Sequence, residues 1–407
     1  MLTEAVILAG GEASRLGPLA AETPKTLMPV GGRPFLDHLV WNVRRHGIRR
    51  VVFATGRLGE QVEAHVGDGS ALGVEAVYVR EDEPLGTGGA ARLAAAEVSS
   101  ERFLLLNGDT VFDVNYLDLA LLASRPGTDV AVALRAVDDV SRFGRVALDG
   151  ERVAAFGEKD GAGPGLVNGG VYVVAREALA PLPKGRSSLE TGLLAPLAAA
   201  GRLAGRPYGG FFLDIGLPAS LEEAQRTMPA WRRKPAVFLD RDGVLNEDVG
   251  YAHTPEEFRF IPGAPEAVKL LNDAGRLVFV VTNQAGIGRG YYTEEEFAAF
   301  TAWIGERLAE RGAHVDATYY CPHHPTHARD AYLRACGCRK PAPGMLLQAM
   351  AEWDVDADAS VVVGDKPSDA AAAAAAGLRS VTYAGGDLRA LVRELLGATA
   401  PDDTPEA

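Results

Sequence analysis

Short apolar runs that stop abruptly on a glycine turn or an acid, each followed by an amphipathic stretch, leave this chain little choice of fold. Ala5–Leu8 runs into Gly10-Gly11, Phe103–Leu106 into Gly108-Asp109, Ala236–Leu239 into Asp240, and Val361–Val363 into Gly364-Asp365. Runs of this length without polar alternation read as strands buried on both faces, which is the condition of a mainly parallel sheet covered by helices. The intervening segments, such as FLDHLVWNVRRHG, EAVKLLNDAG and TEEEFAAFTAWIGERLAE, carry helical periodicity. The expected class is α/β, and polar groups at the ends of such strands face a common crevice.

The alternation occurs twice, with PAWRRKPA between the two series. That Pro- and Arg-rich segment lacks apolar periodicity and predicts a linker at 227–235. It separates a first domain at 1–226 from a second at 236–397, and the tail 398–407 reads as disordered. A chain of 407 residues has room for two such domains. The net charge of −13 would repel a nucleic acid backbone, so small anionic substrates held by local clusters are expected and nucleic acid is not. No apolar run is long enough to span a bilayer, and the chain reads as cytoplasmic with no membrane partner. Three cysteines within 321–338, an odd number, argue for a metal site and against a disulfide framework.

In the second half, Asp240 and Asp242 stand two residues apart just past a strand. One can attack a phosphoryl group while the other protonates the leaving oxygen and later activates water. Asp365, after VVVG, is suited to hold magnesium, Thr282 to bind phosphoryl oxygens, and Lys340 to offset transition-state charge. Cys321-Pro322-His323 and Cys336-Gly337-Cys338 form two tight pairs. Three thiolates and one imidazole make a closed tetrahedral set for structural zinc. His324 and His327 in the same loop read as solvated. The short step from Cys338 to Lys340 would let the metal fix the geometry around the lysine.

Asp240 with Asp242, Thr282, Lys340 and Asp365 resemble, in order, the four motifs of the haloacid dehalogenase phosphatases. FLDRDGVLN, VTNQAGIGRGYYT, CRKPAPGM and VGDKPSD narrow the resemblance to the D-glycero-D-manno-heptose 1,7-bisphosphate 7-phosphatases, over about 235–397. Histidinol-phosphate phosphatases share the zinc-loop pattern and are the alternative. The resemblance implies a Rossmannoid sheet with a zinc loop and an aspartyl-phosphate on Asp240. It also implies acid and base duty for Asp242, magnesium at Asp240, Asp242 and Asp365, and substrate contacts from Arg289, Arg339 and Lys366.

In the first half, Gly10 and Gly11 form a turn where backbone amides can approach phosphates, with Arg15 nearby, and Pro24-Lys25 follows. Gly86 and Gly88 mark a second close-approach turn. Asp109 and Asp214 end apolar runs and could grip magnesium on a triphosphate. Together these resemble the sugar-1-phosphate nucleotidylyltransferases, a Rossmann-like fold, over about 1–226. The resemblance implies Arg15 and Lys25 on phosphates, Gly10, Gly11, Gly86 and Gly88 on the nucleotide, and Asp109 and Asp214 on magnesium. Glu158, Lys159, Gly170 and Glu190 match the sugar side. Ala13 departs from the family's glycine, at a cost of about 1 kcal/mol if its φ must be positive.

The two resemblances imply one bifunctional enzyme. A 7-phosphatase would release the heptose 1-phosphate that a nucleotidylyltransferase, of the heptose 1-phosphate guanylyltransferase type, would join to a nucleotide from GTP. A nucleotide-sugar sensor controlling a phosphatase is a further reading. The nucleobase and the anomer stay open at this level.

Overall fold

The computed structural model describes residues 2–11, 16–17, 21–141, 144–156 and 162–397. Glu12 to Arg15, Glu158, Lys159 and the tail from 398, all subjects of expectations above, lie outside the described residues. The chain divides into two compact units, up to Arg232 and from Arg233 on.

The first unit is built on a nine-stranded sheet. Its order is Glu75–Arg80, Arg50–Thr55, Glu4–Leu8, Arg102–Asn107, Gly165–Ala175, Val130–Val137, Leu203–Tyr208, Arg152–Phe156, Arg145–Asp149. The first four strands are parallel. Gly165–Ala175 then runs antiparallel to both of its neighbours, and Arg152–Phe156 is antiparallel to Arg145–Asp149. The sheet is thus mixed: its first four strands have the parallel form expected, and beyond them Leu203–Tyr208 pairs parallel with Val130–Val137 while the other pairings are antiparallel. For the last two strands the cause is local: two residues, Gly150 and Glu151, join them, and a turn that short can only return the chain antiparallel.

Phe35–Arg45 is helical and buries Leu36, Leu39, Val40 and Val43, the i, i+3, i+4, i+7 set. Phe103, Leu105, Val132, Tyr172 and Val174 are fully buried in the core on the sheet.

A helix, Pro218–Arg232, overrides most of the linker expected at 227–235. Met228 and Trp231 are buried, and the Trp231 ring stacks on Phe211 at 5.4 Å and meets Trp41 edge-on at 5.6 Å. Its indole N–H donates to Asp113 Oδ2 at 2.9 Å. Burial of two large side chains stabilises by several kcal/mol, about the size of the penalty for the internal Pro229. Lys234 belongs with the second unit, its amide donating to Asp354 O at 2.9 Å.

The second unit carries five parallel strands in the order Ala317–Cys321, Leu277–Asn283, Ala236–Leu239, Val361–Gly364, Arg379–Thr382. Ala236–Leu239 is central, buried on both faces, and its C-terminal end opens between two neighbours that both run the same way. Helix Glu294–Ala309 starts at a capping box: the Thr293 hydroxyl accepts from the Glu296 amide, and the Glu296 carboxylate accepts from the Thr293 amide. Among the described residues no helix is long and apolar enough to cross a membrane.

Candidate active sites

In the second unit three strands deliver their next residues to one point. Asp240 follows Ala236–Leu239, Thr282 lies near the end of Leu277–Asn283, and Asp365 follows Val361–Gly364. Asp240 is buried; its Oδ1 accepts from the Arg241 amide at 2.7 Å and lies 2.9 Å from Lys340 Nζ. Lys340, also buried, reaches Asp369 Oδ1 at 2.7 Å and donates to Val281 O at 2.8 Å. Asn283 holds the lysine's own backbone, its Oδ1 accepting from Lys340 N and its Nδ2 donating to Lys340 O, both at 3.1 Å. Burial pushes the Asp240 carboxyl up to about 6 against the pull of Lys340, with Asp369 adding to the push.

The carboxylates of Asp240, Asp365 and Asp369 converge within 4.8 Å of one another. Asp365 Oδ1 is buried with no hydrogen-bond partner among the described residues. Three hard oxygen donors, one of them orphaned, fit a magnesium ion. Asp369 was missed in the sequence. It sits one turn into Pro367–Ala375 and folds back over the strand end, where a Cβ on Gly364 would collide with it. The available signal was the second acid in VGDKPSD.

Asp242, expected among the magnesium ligands, stands apart from this group. Its carboxylate accepts from Arg241 Nε and Nη2 at 2.9 to 3.2 Å, from Asn246 Nδ2 at 3.0 Å and from Gln284 Nε2 at 3.0 Å. Its oxygens are thus engaged by nitrogen donors, and Asp369 takes the third place. Gln284 also donates to Thr282 Oγ1 at 2.9 Å and accepts from the Tyr292 hydroxyl at 2.6 Å, which couples Thr282 to Asp242 through one amide. Gly243, at φ 95°, lets the turn pass beside Asp365, where a side chain would clash.

At the rim, Lys366 Nζ lies 2.9 Å from Asp248 Oδ2 and 3.8 Å from Asp365. Arg289 ends a short helix with its guanidinium 5.6 Å from the Tyr251 ring centre and its buried Nε without a hydrogen bond among the described residues. Arg339 Nη1 donates to His323 O at 3.3 Å and so braces the cysteine loop.

Cys321, His323, Cys336 and Cys338 form a single cluster. The sulfurs are 3.2 to 3.5 Å apart, and His323 Nδ1 lies 3.5 and 3.6 Å from Cys338 and Cys321. Four ligands at about 2.3 Å for sulfur and 2.0 Å for nitrogen around one ion would stand roughly 3.5 to 3.8 Å apart, so this set fits tetrahedral zinc after a small expansion.

In the first unit, Ala9 N donates to Ala54 O at 2.8 Å and Gly108 N to Leu8 O at 3.0 Å, which anchors the Gly10-Gly11 turn between parallel strands. Asp109 accepts from Lys25 Nζ at 2.5 Å and from Thr110 Oγ1 at 3.1 Å. A two-stranded ribbon, Thr110–Phe112 with Phe212–Asp214, pairs Asp214 with Thr110, and Ile215 N donates to Asp109 O at 3.0 Å. Asp109 and Asp214, 105 positions apart in the chain, are thereby carried on neighbouring backbone segments. Gly86 and Gly88 lie against protein backbone: a Cβ on Gly86 would meet Ser187 O at 2.6 Å, and Gly88 N donates to Ser187 O at 2.9 Å. Gly170, at φ 72°, sits against Asn107, and its amide donates to Asn168 Oδ1 at 3.0 Å. The amide of Asn168 also lies 3.5 Å from the exposed Glu190. Arg15, Glu158 and Lys159 are outside the described residues.

A carboxylate-lysine cluster at parallel strand ends and a lysine-acid pair beside a glycine turn define a two-domain phosphoryl- and nucleotidyl-transfer protein. Residues 4–230 match the nucleotidyl transferase family and residues 337–405 the HAD-hydrolase-like family. The D-glycero-beta-D-manno-heptose-1,7-bisphosphate 7-phosphatase of Pasteurella multocida is 51% identical over 136 residues, 33% of this chain and 73% of that protein. The enzyme of the same name from Rhodopseudomonas palustris is 43% identical over 164 residues, 40% of this chain and 91% of that protein. The crystal structure of HddC from Yersinia pseudotuberculosis, also solved complexed with GMP-PN, has a TM-score of 0.51 and 27% identity. It covers 56% of this chain and 100% of that one. The chain belongs to the nucleotidyl transferase family through its first half and to the heptose bisphosphate phosphatase family of HAD hydrolases through its second.

Proposed function

We propose that the chain is a bifunctional enzyme of nucleotide-activated heptose synthesis. The second domain removes the 7-phosphate of D-glycero-D-manno-heptose 1,7-bisphosphate, and the first transfers a nucleotidyl group from GTP to the resulting heptose 1-phosphate, releasing pyrophosphate. The observation that carries this reading is the Asp240, Lys340, Asp365 and Asp369 cluster, in a domain half identical to 7-phosphatases and joined to a nucleotidyl transferase domain.

Asp240 attacks the phosphorus with its carboxylate, and the bond to the sugar oxygen breaks as Asp242 gives that oxygen a proton. Asp242, then ionised, takes a proton from the water that hydrolyses the aspartyl-phosphate and restores Asp240. Lys340 and Thr282 hold the phosphoryl oxygens, and Lys340 balances the charge of the buried carboxylates throughout. Asp240, Asp365 and Asp369 would hold magnesium, which when bound supplies charge neutralisation for the incoming phosphate. Cys321, His323, Cys336 and Cys338 would hold a structural zinc that fixes the loop leading to Lys340. Arg289 and Lys366 are the cations left at the rim for the rest of the substrate.

In the first domain Lys25 and the Gly10-Gly11 amides receive the triphosphate, and Asp109 with Asp214 would hold its magnesium. The sugar phosphate oxygen attacks the α-phosphorus and pyrophosphate leaves. Gly170 and Glu190 lie on the sugar side. The substrates are small molecules and the proposed compartment is the cytoplasm.

The test is to supply the heptose bisphosphate and GTP together. Phosphate should appear first and pyrophosphate second, and kcat/KM for the bisphosphate should exceed that for histidinol phosphate. Efficient histidinol phosphate hydrolysis with a poor heptose substrate would refute the assignment. With the Asp240→Asn variant, pyrophosphate should form only after active phosphatase is added. Rapid formation of a 7-phosphorylated nucleotide sugar would refute the order.

A further inference from the structure

The four residues of the cysteine cluster stand at the two ends of a loop. Cys321 and His323 precede it, Cys336 and Cys338 follow it, and the twelve residues 324–335 lie between. An ion on those ligands ties the ends together and leaves the body of the loop to be held by the protein. Two features hold it. The first is a close approach: Arg329 N donates to Gly288 O at 2.7 Å, on the short helix Ala285–Arg289. A Cβ on Gly288 would come within 2.5 Å of Pro322 O, 3.0 Å of Tyr332 Cβ and 3.1 Å of Ala328 Cβ, so the loop lies directly on that helix because residue 288 has no side chain.

The second feature is one carboxylate. Glu294 opens helix Glu294–Ala309, where the capping box at Thr293 fixes the backbone and the helix N-terminus favours an acid. Its Oε1 accepts from the Tyr332 hydroxyl at 2.6 Å and its Oε2 from the Tyr320 hydroxyl at 2.5 Å. Tyr332 belongs to the body of the loop. Tyr320 immediately precedes Cys321 and stands opposite Thr282 in the parallel register of Ala317–Cys321 with Leu277–Asn283. One acid thus joins the strand that delivers the first sulfur to the middle of the loop that leads to the other two.

Both bonds run to a charged acceptor, which makes them stronger than bonds between neutral groups. The rings that carry the hydroxyls are themselves packed: Tyr320 and Tyr332 lie against Ile287, Tyr292 and Phe297, with the Phe297 ring 4.5 Å from that of Tyr320. Tyrosine bodies fixed in an apolar cluster aim their hydroxyls at little entropic cost. We propose that Glu294 is the positioning residue of the metal centre: by accepting both hydroxyls it seats the loop body, keeps the two ligand pairs in place relative to each other and slows loss of the ion. This rests on the reading of Cys321, His323, Cys336 and Cys338 as a zinc centre, and it names the residue outside the ligand set that holds them. Lys340 has its own clamp in Asn283, so the seat acts on the loop and on the rim at Arg289, next to Gly288, rather than on the reacting phosphoryl group.

The experiment uses the full chain and follows zinc release to an excess of a chromogenic chelator, phosphatase kinetics on the heptose bisphosphate, and hydrogen exchange at the Arg329 and His324 amides, which donate to Gly288 O and Tyr332 O. Glu294→Ala should release zinc about 10- to 100-fold faster and raise KM for the bisphosphate while kcat changes little. Glu294→Gln, whose amide oxygen replaces only one of the two acceptors, should fall between Glu294→Ala and wild type. Tyr332→Phe removes one donor and keeps the ring; alone it should speed release, and added to Glu294→Ala it should change release little further, because the bond is already gone. Release at the wild-type rate in both single variants, or effects that multiply in the double variant, overturns the proposal whatever the kinetics. Should Glu294→Ala fail to fold, Tyr332→Phe decides alone, faster release supporting the proposal and an equal rate refuting it. If the purified protein holds no zinc, the zinc reading fails, and hydrogen exchange then decides on Glu294: faster exchange at both amides in the variants supports the seat, unchanged exchange refutes it.

Discussion

The Nζ of Lys340 lies 2.9 Å from Asp240 Oδ1, with both side chains buried. Asp369 Oδ1 shares the same ammonium at 2.7 Å, so one cation balances two buried acids. Lys340→Met should lower phosphatase kcat by at least 1000-fold and destabilise the second domain by about 3–5 kcal/mol, the cost of leaving buried charge unpaired. Phosphate release and urea denaturation measure the two effects. A variant that keeps one tenth of the activity would show that Lys340 is structural only.

Asp369 and Asp242 should separate in their response to magnesium. Asp369→Asn should raise the magnesium needed for half-maximal phosphatase activity by about 10- to 100-fold, because it weakens an oxygen ligand. Asp242→Asn should abolish turnover and leave magnesium affinity within a few-fold of wild type. Magnesium titrations by calorimetry settle both, and a large affinity loss in Asp242→Asn would restore Asp242 to the metal site.

One zinc per chain should be found in reduced, freshly purified protein, since three sulfurs and Nδ1 of His323 leave no open position. Cys336→Ser should release it and lower phosphatase activity through disorder near Lys340, while pyrophosphate release stays largely unchanged. Elemental analysis without zinc would refute this.

Asp109→Asn should stop nucleotidyl transfer and spare the phosphatase, and Asp240→Asn should do the reverse, because each acid belongs to a separate compact unit. Loss of both activities from either substitution in a folded protein would contradict two independent sites.

Glu4 should make the first domain acid-sensitive. Burial alone would push its carboxyl up, but hydrogen bonds from Ser100, Ser99 and Arg50 outweigh it and hold the group near 2, against an ordinary 4.5. A depressed folded value adds stability above about pH 4.5, and that stability is lost as the pH falls toward 2. Glu4→Gln should cost about 1–3 kcal/mol at pH 7 and flatten the stability profile across that interval. Hydrogen exchange at the Ser99 and Ser100 amides, which Glu4 accepts at 3.0 and 2.6 Å, reports the change; equal slopes with and without Glu4 would exclude it.

Much of the molecule is determined by local pattern. The apolar runs fix where strands stop, and the acids one step beyond, Asp240 and Asp365, arrive together because adjacent parallel strands end on the same side. Thr293 and Glu296 start their helix by a contact three residues long. Cys336 and Cys338 need only one intervening glycine to present two sulfurs together. These features depend on neighbours in sequence, which periodicity and spacing record directly.

The tertiary structure alone decided the rest. Asp369 joins the carboxylate cluster, and Asp242 leaves it, because a helix start folds back over Gly364 while Arg241, Asn246 and Gln284 claim the other acid. Residues 227–232 are helical because Trp231 finds Trp41 and Phe211, partners remote in sequence. Side-chain period reports which face of an element is buried but not which element covers it; packing of distant segments, each satisfying the other's charge or apolar surface, makes that choice.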